Sequence, residues 1–270
     1  LVSFTVSRPL AFPDTTVLKP EHFLRHKPLL QEADWVLFPE YWQINALVHG
    51  LKCRVFPSIA SYRIGHDKVE MTRAFQTVAP EHTPWTLIEA NGPQERDMLW
   101  DTMALPFVAK LPKASMGEGV WLIESRAEWL KYCDRTDVLY VQEYLPIDRD
   151  VRVVVVGDRV VTAYWRTQAE QGFYNNVARG GQIVAGDVPA VATDLALRLA
   201  RELEVDHAGF DIALVEGYPY VLEFNRLFGN QGLGQGSDLK DAILDYLQRQ
   251  SRPQDPDGPT EPTPLWPVAV

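Results

Sequence analysis

Residues 209–225 have the sequence GFDIALVEGYPYVLEFN. Apolar residues on both sides of Glu216-Gly217-Tyr218 predict two antiparallel strands joined by a three-residue turn. On the second strand Glu223 and Asn225 are two residues apart, so their side chains leave the same face. Asp211, on the first strand, then falls close to opposite Glu223. The hairpin therefore predicts two carboxylates and one amide on a single patch of sheet.

This patch of acidic side chains favours a bound cation. Like charges that face each other on a sheet repel, and burying them is costly unless a positive charge lies between them. Mg²⁺ binds carboxylate and carbonyl oxygens and shares its coordination shell with phosphates. The pattern thus favours a magnesium site at Asp211, Glu223 and Asn225. From spacing alone, a solvent-facing edge hairpin is an equally good interpretation, because acids at such intervals are common.

The rest of the chain combines paired strands with helices. Another hairpin is predicted at residues 151–165, and helical periodicity is found at residues 67–78 and 191–203. Ser125 followed by Glu128 forms a capping box before a further helix. Strand pairs with helices between them predict α+β lobes rather than a parallel doubly wound sheet. The first 65 residues predict a short α/β domain.

A lysine and a glycine-containing loop follow one another near the middle of the chain. Lys110 ends an apolar strand, and Gly117 and Gly119 in the next loop allow backbone N–H groups to approach a phosphate closely. A P-loop is excluded because GxxxxGK[ST] is absent, and a protein kinase would place its glycine loop before the lysine strand. A plain hairpin turn with a surface lysine is the alternative interpretation.

Two further segments are consistent with a nucleotide site. Residues 141–145 form an apolar strand that runs into a linker, which is how a hinge exposes its backbone to an adenine edge. A buried strand is the alternative there. The polar loop at residues 166–186 contains arginines, whose forked donors suit phosphate oxygens. A solvated loop is the alternative for this second segment.

The composition limits the class of protein. With 46% apolar and 23% charged residues in 270, most of the chain is expected to fold. A net charge of −10 argues against a nucleic-acid partner. Two cysteines without CxxC spacing favour the cytosol over a disulfide framework. No apolar run is long enough to cross a bilayer, so no membrane association is expected.

In order along the chain, these segments resemble a known family. The matching set is Asp67-Lys68, Pro106-Phe107-Val108-Ala109-Lys110, Gly117-Glu118-Gly119-Val120, Val141-Gln142-Glu143-Tyr144, Asp150-Val151-Arg152, Asn176 with Arg179-Gly180-Gly181, Gly209-Phe210-Asp211 and Glu223-Phe224-Asn225. The set resembles the ATP-grasp ligases, and within them the RimK-type glutamate ligases, over residues 57–247. Each motif alone is weak, whereas the ordered set at family-like intervals is specific.

The resemblance implies a fold and its divisions. It implies an α+β ATP-grasp fold in which two lobes grip ATP, preceded by the short α/β domain. The expected divisions are residues 1–65 (N-terminal domain), 66–141 (lobe A), 142–250 (lobe B with the metal site) and 251–270. The last segment holds six prolines and is expected to be a loose tail.

The resemblance also implies a role for each site residue. ATP would be bound by Lys68, Lys110, Gly117, Gly119, Gln142, Glu143, Tyr144, Leu145, Asp150 and Asn176. In that set the lysines flank the phosphates, Glu143 and Tyr144 lie in the adenine hinge, and Asp150 lies at the ribose. Mg²⁺, or Mn²⁺ in its place, would be bound by Asp211, Glu223 and Asn225. The catalytic arginines would be Arg166 at the phosphates, and Arg152 and Arg179 at the acceptor carboxylate or acyl phosphate.

The implied activity is an ATP-dependent carboxylate–amine ligase that works through an acyl phosphate. It would add an amino acid such as glutamate to a peptide, protein or small-acid acceptor, in the cytosol, with a homo-oligomer as one option. A family member making another product, such as a phosphorylated metabolite, is a second possibility. A nucleotide-binding regulatory module without turnover is a third. One departure bears on the acceptor: Arg226-Leu227-Phe228-Gly229 follows Asn225, where the family has a small residue, Pro and Gly.

Overall fold

The fold is taken from a computed structural model, which describes residues 1–5, 12, 14–113, 119–167, 182–184, 186–229, 232 and 237–251. Three predicted site residues, Gly117, Asn176 and Arg179, lie outside the described residues, as does the predicted tail beyond Ser251. No helix in the described ranges is long and apolar enough to cross a bilayer.

The N-terminal segment forms a small parallel sheet. Its elements are β1 (Val2–Ser3), β2 (Thr16–Val17), α1 (Lys27–Glu32), β3 (Val36–Leu37), β4 (Val55–Phe56) and α2 (Ile59–Ile64). The strands pair in parallel in the order β2-β1-β3-β4, which confirms the α/β character expected here. Between β3 and β4 the chain forms a 3-10 turn and a π-helical turn, Tyr41–Gln43 and Ala46–Gly50.

Helix α3 (Lys68–Val78) leads from this sheet to the rest of the protein. Asp67 caps it, because its side chain accepts a hydrogen bond from the backbone N–H of Val69 at 2.8 Å. Its buried face includes Met71 and Phe75, four residues apart, and these pack into the core of lobe B. The predicted helix is confirmed, and Lys68 starts its first turn.

Lobe A contains an antiparallel sheet covered by two helices. Its elements are β5 (Thr86–Ala90), α4 (Pro93–Thr102), β6 (Phe107–Lys110), β7 (Val120–Ile123), α5 (Arg126–Cys133) and β8 (Val138–Glu143). The strand order is β5-β8-β6-β7. The N-cap predicted at α5 is confirmed, since Ser125 Oγ accepts from the N–H of Glu128. The reciprocal bond of a capping box is replaced, because the Glu128 carboxylate accepts from the N–H of Glu124 and the Ser125 hydroxyl. β8 extends to Glu143, so this sheet passes the boundary predicted after residue 141.

Lobe B contains the largest sheet. Its elements are β9 (Arg149–Val156), β10 (Arg159–Thr167), β11 (Gln182–Val184), α6 (Ala190–Glu202), β12 (His207–Val215) and β13 (Tyr218–Asn225). The strands are antiparallel in the order β11-β10-β9-β12-β13. Both predicted hairpins are present, and α6 confirms the helix predicted at residues 191–203.

The two faces of this sheet have different neighbours. On β9, Val151, Val153 and Val155 pack with α6 in one core. On the opposite face, Val154 and Val156 pack against the N-terminal sheet and helix α7 (Ser237–Ser251). The same face carries Asp150 and Arg152 further along the strand, because side chains alternate. One half of this face is therefore apolar and closed, and the other half is charged.

Candidate active site

The charged half of the lobe B sheet brings residues from four strands together. In the observed register Asp211 lies opposite Glu223 on β13 and opposite Arg152 on β9. Arg166 on β10 lies opposite Asp150 on β9. Directly opposed residues place their side chains on the same face, so the five side chains form one continuous surface.

The predicted opposition of Asp211 and Glu223 is confirmed, but the backbone reaches it differently. The turn has two residues, Glu216 and Gly217, both with positive φ, in place of the predicted three. A bulge between Asp211 and Ile212 then shifts the register by one residue. Val221 packs into the α6 core as a result, while Glu223 two residues later lies on the charged face. The bulge thus aims Glu223 and Asn225 at the site.

The buried charges on this face form a paired network. Arg166 donates to both oxygens of Asp150 at 2.8 Å, and its Nη2 lies 3.0 Å from Asp211 Oδ1. Arg152 donates to both oxygens of Asp211. Burial by itself lowers the pKa of Arg166, but Asp211 and Asp150 outweigh it and raise that pKa. Two arginines and two aspartates therefore offset each other inside the protein.

Glu223 and Asn225 form the accessible part of the site. The Asn225 amide donates to Glu223 Oε1 at 3.3 Å, and Lys68 Nζ lies 3.9 Å from Glu223 Oε2. The Glu223 side chain is 33% exposed, against 7% for Asp211, so Glu223 is the carboxylate that a ligand reaches first. Lys68 belongs to α3, which brings a cation to the sheet from outside it.

Lys110 approaches the same carboxylates from lobe A. Its ammonium group donates to Gln142 Oε1 at 2.7 Å and lies 5.5 Å from the centre of the Tyr140 ring. Gln142 is fixed in turn, because its amide donates to Thr86 Oγ1 at 2.8 Å. Burial lowers the pKa of Lys110, while nearby Glu223 and Asp211 act in the opposite direction. Lys110 is therefore a buried amine that Gln142 holds at the end of β6, near enough to the carboxylates of lobe B for their charges to act on it.

The segment that connects the lobes lies between the end of β8 at Glu143 and the start of β9 at Arg149, and hydrogen bonds to Trp85 fix Glu143. The N–H of Glu143 donates to the carbonyl of Trp85 at 2.9 Å, and Glu143 Oε1 accepts from the N–H of Trp85 at 2.6 Å. Leu145 accepts at its carbonyl from Ile147 N–H at 2.9 Å. Gly119, at the end of the glycine loop, has φ +83° and accepts from Leu111 N–H at 2.7 Å. Tyr144 follows Glu143 in the connection from β8 to β9.

The structure thus gathers most of the predicted site. The residues that meet between the lobes are Lys68, Lys110, Gln142, Asp150, Arg152, Arg166, Asp211, Glu223 and Asn225. Gly119, Glu143, Tyr144 and Leu145 lie at the lobe A strands and the connecting segment. Asp150 is buried, with both oxygens bound to Arg166, so it is not placed as an exposed ribose acceptor. Arg152 binds Asp211 and Arg166 binds Asp150 in the structure. The sequence predicted contacts of these arginines with substrate groups, and not these ion pairs.

Gly209 is a site residue whose function emerges only from the structure. A Cβ atom at this position would lie 2.8 Å from Arg152 Nη1 and 2.9 Å from Arg152 Cδ. The bare backbone of β12 therefore lets Arg152 cross it to reach Asp211. A glycine inside a predicted strand is the signal that could have indicated this close approach.

The donor set fits a hard divalent cation. Asp211, Glu223 and Asn225 offer oxygen ligands, as Mg²⁺ prefers, and two are carboxylates. Both oxygens of Asp211 already accept from Arg152, so Glu223 and Asn225 hold the more available oxygens. In the described part of the chain no group of three or more His, Cys, Asp and Glu residues could hold a metal by itself. Mg²⁺ sites with one or two carboxylates are generally completed by water and substrate phosphates.

Solved structures with the same architecture identify the fold. The D-alanine–D-alanine ligase of Bacillus anthracis matches with a TM-score of 0.68 and 16% identity, over 88% of this chain and 87% of that one. The same enzyme has been solved with ATP. A RimK-domain ATP-grasp protein of Sphaerobacter thermophilus matches with a TM-score of 0.64 and 20% identity, over 80% and 81%. The fold is that of the ATP-grasp ligases.

Sequence relatives define the family more closely. A RimK-like ATP-grasp domain model matches residues 73–247. A probable α-L-glutamate ligase of Citrobacter koseri is 31% identical over 218 residues, which cover 74% of this chain and 72% of the relative. The ribosomal protein bS6–L-glutamate ligase of Escherichia fergusonii is 33% identical over 174 residues, covering 61% and 58%. The chain therefore belongs to the RimK-like ATP-grasp family of carboxylate–amine ligases.

Proposed function

We propose that the protein joins an amino acid, with glutamate as the first candidate, to the carboxylate of a peptide, protein or small acid through an acyl phosphate. The names of the Citrobacter koseri and Escherichia fergusonii relatives support glutamate as the candidate. The observation that carries the proposal is the contact of Lys68 on α3 with the Glu223 carboxylate, 3.9 Å from Nζ to Oε2, on the strand pair that also sets Asp211 opposite Glu223.

The chemistry requires activation because a carboxylate is a poor electrophile and hydroxide a poor leaving group. In the first step an oxygen of the acceptor carboxylate attacks the γ-phosphorus of ATP, an O–P bond forms, and ADP leaves. In the second step the amine attacks the acyl carbon, the C–N bond forms, and the C–O bond to phosphate breaks. The products are the amide, ADP and inorganic phosphate, and the amine proton passes to solvent.

The residues of this chain supply position and charge for these steps. We assign Lys68 and Lys110 to the phosphate oxygens, where negative charge must be neutralised during transfer. Asp150 holds Arg166 by two hydrogen bonds, so the guanidinium is pre-oriented toward the site. Mg²⁺ bound at Asp211, Glu223 and Asn225 would supply charge neutralisation at the phosphates.

The segment after β8 is our candidate for adenine recognition. Trp85 already binds the Oε1 atom and the N–H of Glu143. We therefore propose that this segment contacts the adenine edge through main-chain groups of Tyr144 and Leu145. Backbone groups suit this task because they present one donor and one acceptor at fixed spacing.

The test is ADP release with Mg-ATP against a panel of amino acids paired with carboxylates, followed by mass spectrometry. We expect release that needs both substrates, and a product mass equal to their sum less water. Glu223→Gln should reduce this rate at least 100-fold with an unchanged unfolding transition, whereas Glu216→Gln, at the exposed turn of the same hairpin, should not. Release without amide product, or an active Glu223→Gln enzyme, would contradict the proposal.

A further inference from the structure

Arg226 is placed directly after the candidate metal site. It follows Asn225, the last residue of β13, and its side chain is partly buried. This position puts a cationic side chain next in sequence to two candidate oxygen ligands, Glu223 and Asn225.

The main chain at Arg226 is fixed by a buried histidine. His207 Nδ1 lies 2.7 Å from the Arg226 carbonyl oxygen, and since a carbonyl only accepts, Nδ1 is the donor. The His207 ring is fully buried and stacks on Phe228 at 4.8 Å. The His207 ring thus contacts the 226–229 segment at two points, the carbonyl of Arg226 and the ring of Phe228.

The side chain of Arg226 rests on an aromatic platform in the N-terminal domain. Its guanidinium carbon lies 4.3 Å from the centre of the Tyr62 ring. The Tyr62 hydroxyl donates to the carbonyl of Pro39 at 2.5 Å, which fixes the ring. A cation–π contact of this kind uses none of the N–H donors, so these stay available to a planar anion.

Arg226 differs from the other arginines of the site in its charge partners. Arg152 and Arg166 are both bound to buried aspartates. Within the residues that the structure describes, no salt bridge joins Arg226 to a carboxylate; its guanidinium contacts the Tyr62 ring, and the residue lies one position after the end of β13 at Asn225. Among the described arginines at the site, Arg152, Arg166 and Arg226, the guanidinium of Arg226 is therefore the one that is not bound to Asp150 or Asp211.

We propose that Arg226 binds the α-carboxylate of the amino acid that supplies the amine. This inference rests on the proposed function. An amino acid used as a nucleophile always brings a carboxylate that must be held away from the phosphoryl group and is not consumed. An arginine fork on a rigid aromatic support matches a carboxylate with two parallel hydrogen bonds. Arg226 is thus a specificity-determining residue for the nucleophile.

The test compares amino acids with their α-amides in steady-state ADP release, starting with L-glutamate and its α-amide. Arg226→Gln should raise KM for L-glutamate about 10- to 100-fold, the loss of one charge-assisted contact, and leave KM for ATP unchanged. With the α-amide, wild type and variant should have similar KM values. Arg226→Lys keeps the charge and should recover part of the loss. Arg63→Gln, an exposed arginine on α2 beside Tyr62, is the matched control.

The outcomes separate this inference from the proposed function. If wild type makes amide product but Arg226→Gln and Arg226→Lys leave KM for L-glutamate unchanged, Arg226 does not bind the nucleophile and the ligase activity stands. If KM rises equally for the acid and the α-amide, the α-carboxylate assignment is wrong. If wild type makes no amide product with any pair, the proposed function fails and this inference with it.

Discussion

At the scale of single residues, Lys110 shows how a site residue is retained at the expense of stability. Burial lowers the pKa of Lys110, so the folded protein disfavours its charged form. The ammonium group is held by Gln142 and lies beside the Tyr140 ring. A residue in this setting is better explained by a ligand that needs the charge than by packing.

Lys110→Met should therefore separate function from stability. We expect the rate of ADP release to fall at least 100-fold, because a phosphate contact is lost. The free energy of unfolding should change by no more than about 1 kcal/mol, because a charge that burial disfavours has been removed at the cost of one hydrogen bond. Urea unfolding beside the activity assay measures both. A strongly destabilised Lys110→Met protein would show that the lysine is structural.

Asp206 is the residue for which we expect the free energy of unfolding to depend most clearly on pH. Burial raises its pKa to about 6, while Ser58 N–H at 2.7 Å and Ser61 Oγ at 3.2 Å donate to its Oδ1. The protonated form is favoured in the folded state relative to an unfolded pKa of about 3.9. Asp206 thus contributes stability below about pH 4, and this contribution is lost as pH rises through about 6.

Asp206→Asn should remove that dependence, since an amide oxygen can still accept both hydrogen bonds. Relative to wild type, the variant should gain about 2 kcal/mol in free energy of unfolding between pH 4.5 and pH 8. Urea titrations at the two pH values measure this gain. Asp194→Asn, at an exposed position on α6, should show no such gain, and equal behaviour of the two variants would contradict the assignment.

At the scale of elements, the β12–β13 hairpin depends on Gly209. Gly209→Ala would place a methyl group 2.8 Å from Arg152 Nη1 and 3.3 Å from Phe228 Cβ. We expect Arg152 to move off Asp211, with a loss of about 1 to 3 kcal/mol in stability and a clear fall in ADP release. Gly50→Ala is the control, because a Cβ there meets nothing within 4 Å. Similar effects of the two changes would argue against a close approach at Gly209.

Helix α6 closes the opposite face of the same sheet. Leu199 is fully buried and belongs to the core with Val153 and Phe210. Leu199→Ala should reduce the free energy of unfolding by about 2 to 5 kcal/mol, because it leaves a cavity under β9 and β12. Val191→Ala, at an exposed position of the same helix, should cost less than about 0.5 kcal/mol. Denaturant unfolding followed by circular dichroism compares the two.

Elements with strong local signals were predictable, and the others were not. The two hairpins of lobe B and α6 carry long apolar patterns with defined turns. Helix α4 (Pro93–Thr102) was missed because Leu99 is its one buried residue, so it lacks an apolar stripe. The strands of the N-terminal sheet are two residues long, too short for a period to be visible.

The site was predictable where its spacing is local. Glu223 and Asn225 share a face because they are two residues apart on one strand. The pairing of Arg166 with Asp150, and of Arg152 with Asp211, depends on the register between strands, which sequence spacing does not contain. The same holds for the bulge at Asp211, which offsets the shorter turn and restores the predicted opposition to Glu223.

At the scale of the whole molecule, one hydrophobic core joins the N-terminal domain to lobe B, whereas lobe A has a separate core. The N-terminal sheet, lobe B and α7 meet in one cluster that includes Phe56, Val156 and Ile243. Lobe A has a cluster of its own around Trp129 and Phe107. Lobe A is therefore the part that is least tied to the rest by apolar packing.

Hydrogen exchange should reveal this division. In moderate urea, amides of β6 and β8 should exchange through an opening that leaves β9 and β12 protected, because lobe A can open without breaking the shared cluster. The N-terminal strand β4 should lose protection together with β12. Mass spectrometry of peptides resolves these groups. One common opening free energy for all three sheets would contradict the division.

The hydrogen bonds between Trp85 and Glu143 have a further consequence for the evolution of the protein. They hold the first and last residues of lobe A next to each other, so lobe A is a continuous segment inserted at one point of the chain. Such a segment can be exchanged for that of a relative while both junctions keep their geometry. Recombination at this point would replace Lys110 and the glycine loop together, while the lobe B sheet with Asp211, Glu223 and Asn225 is inherited unchanged.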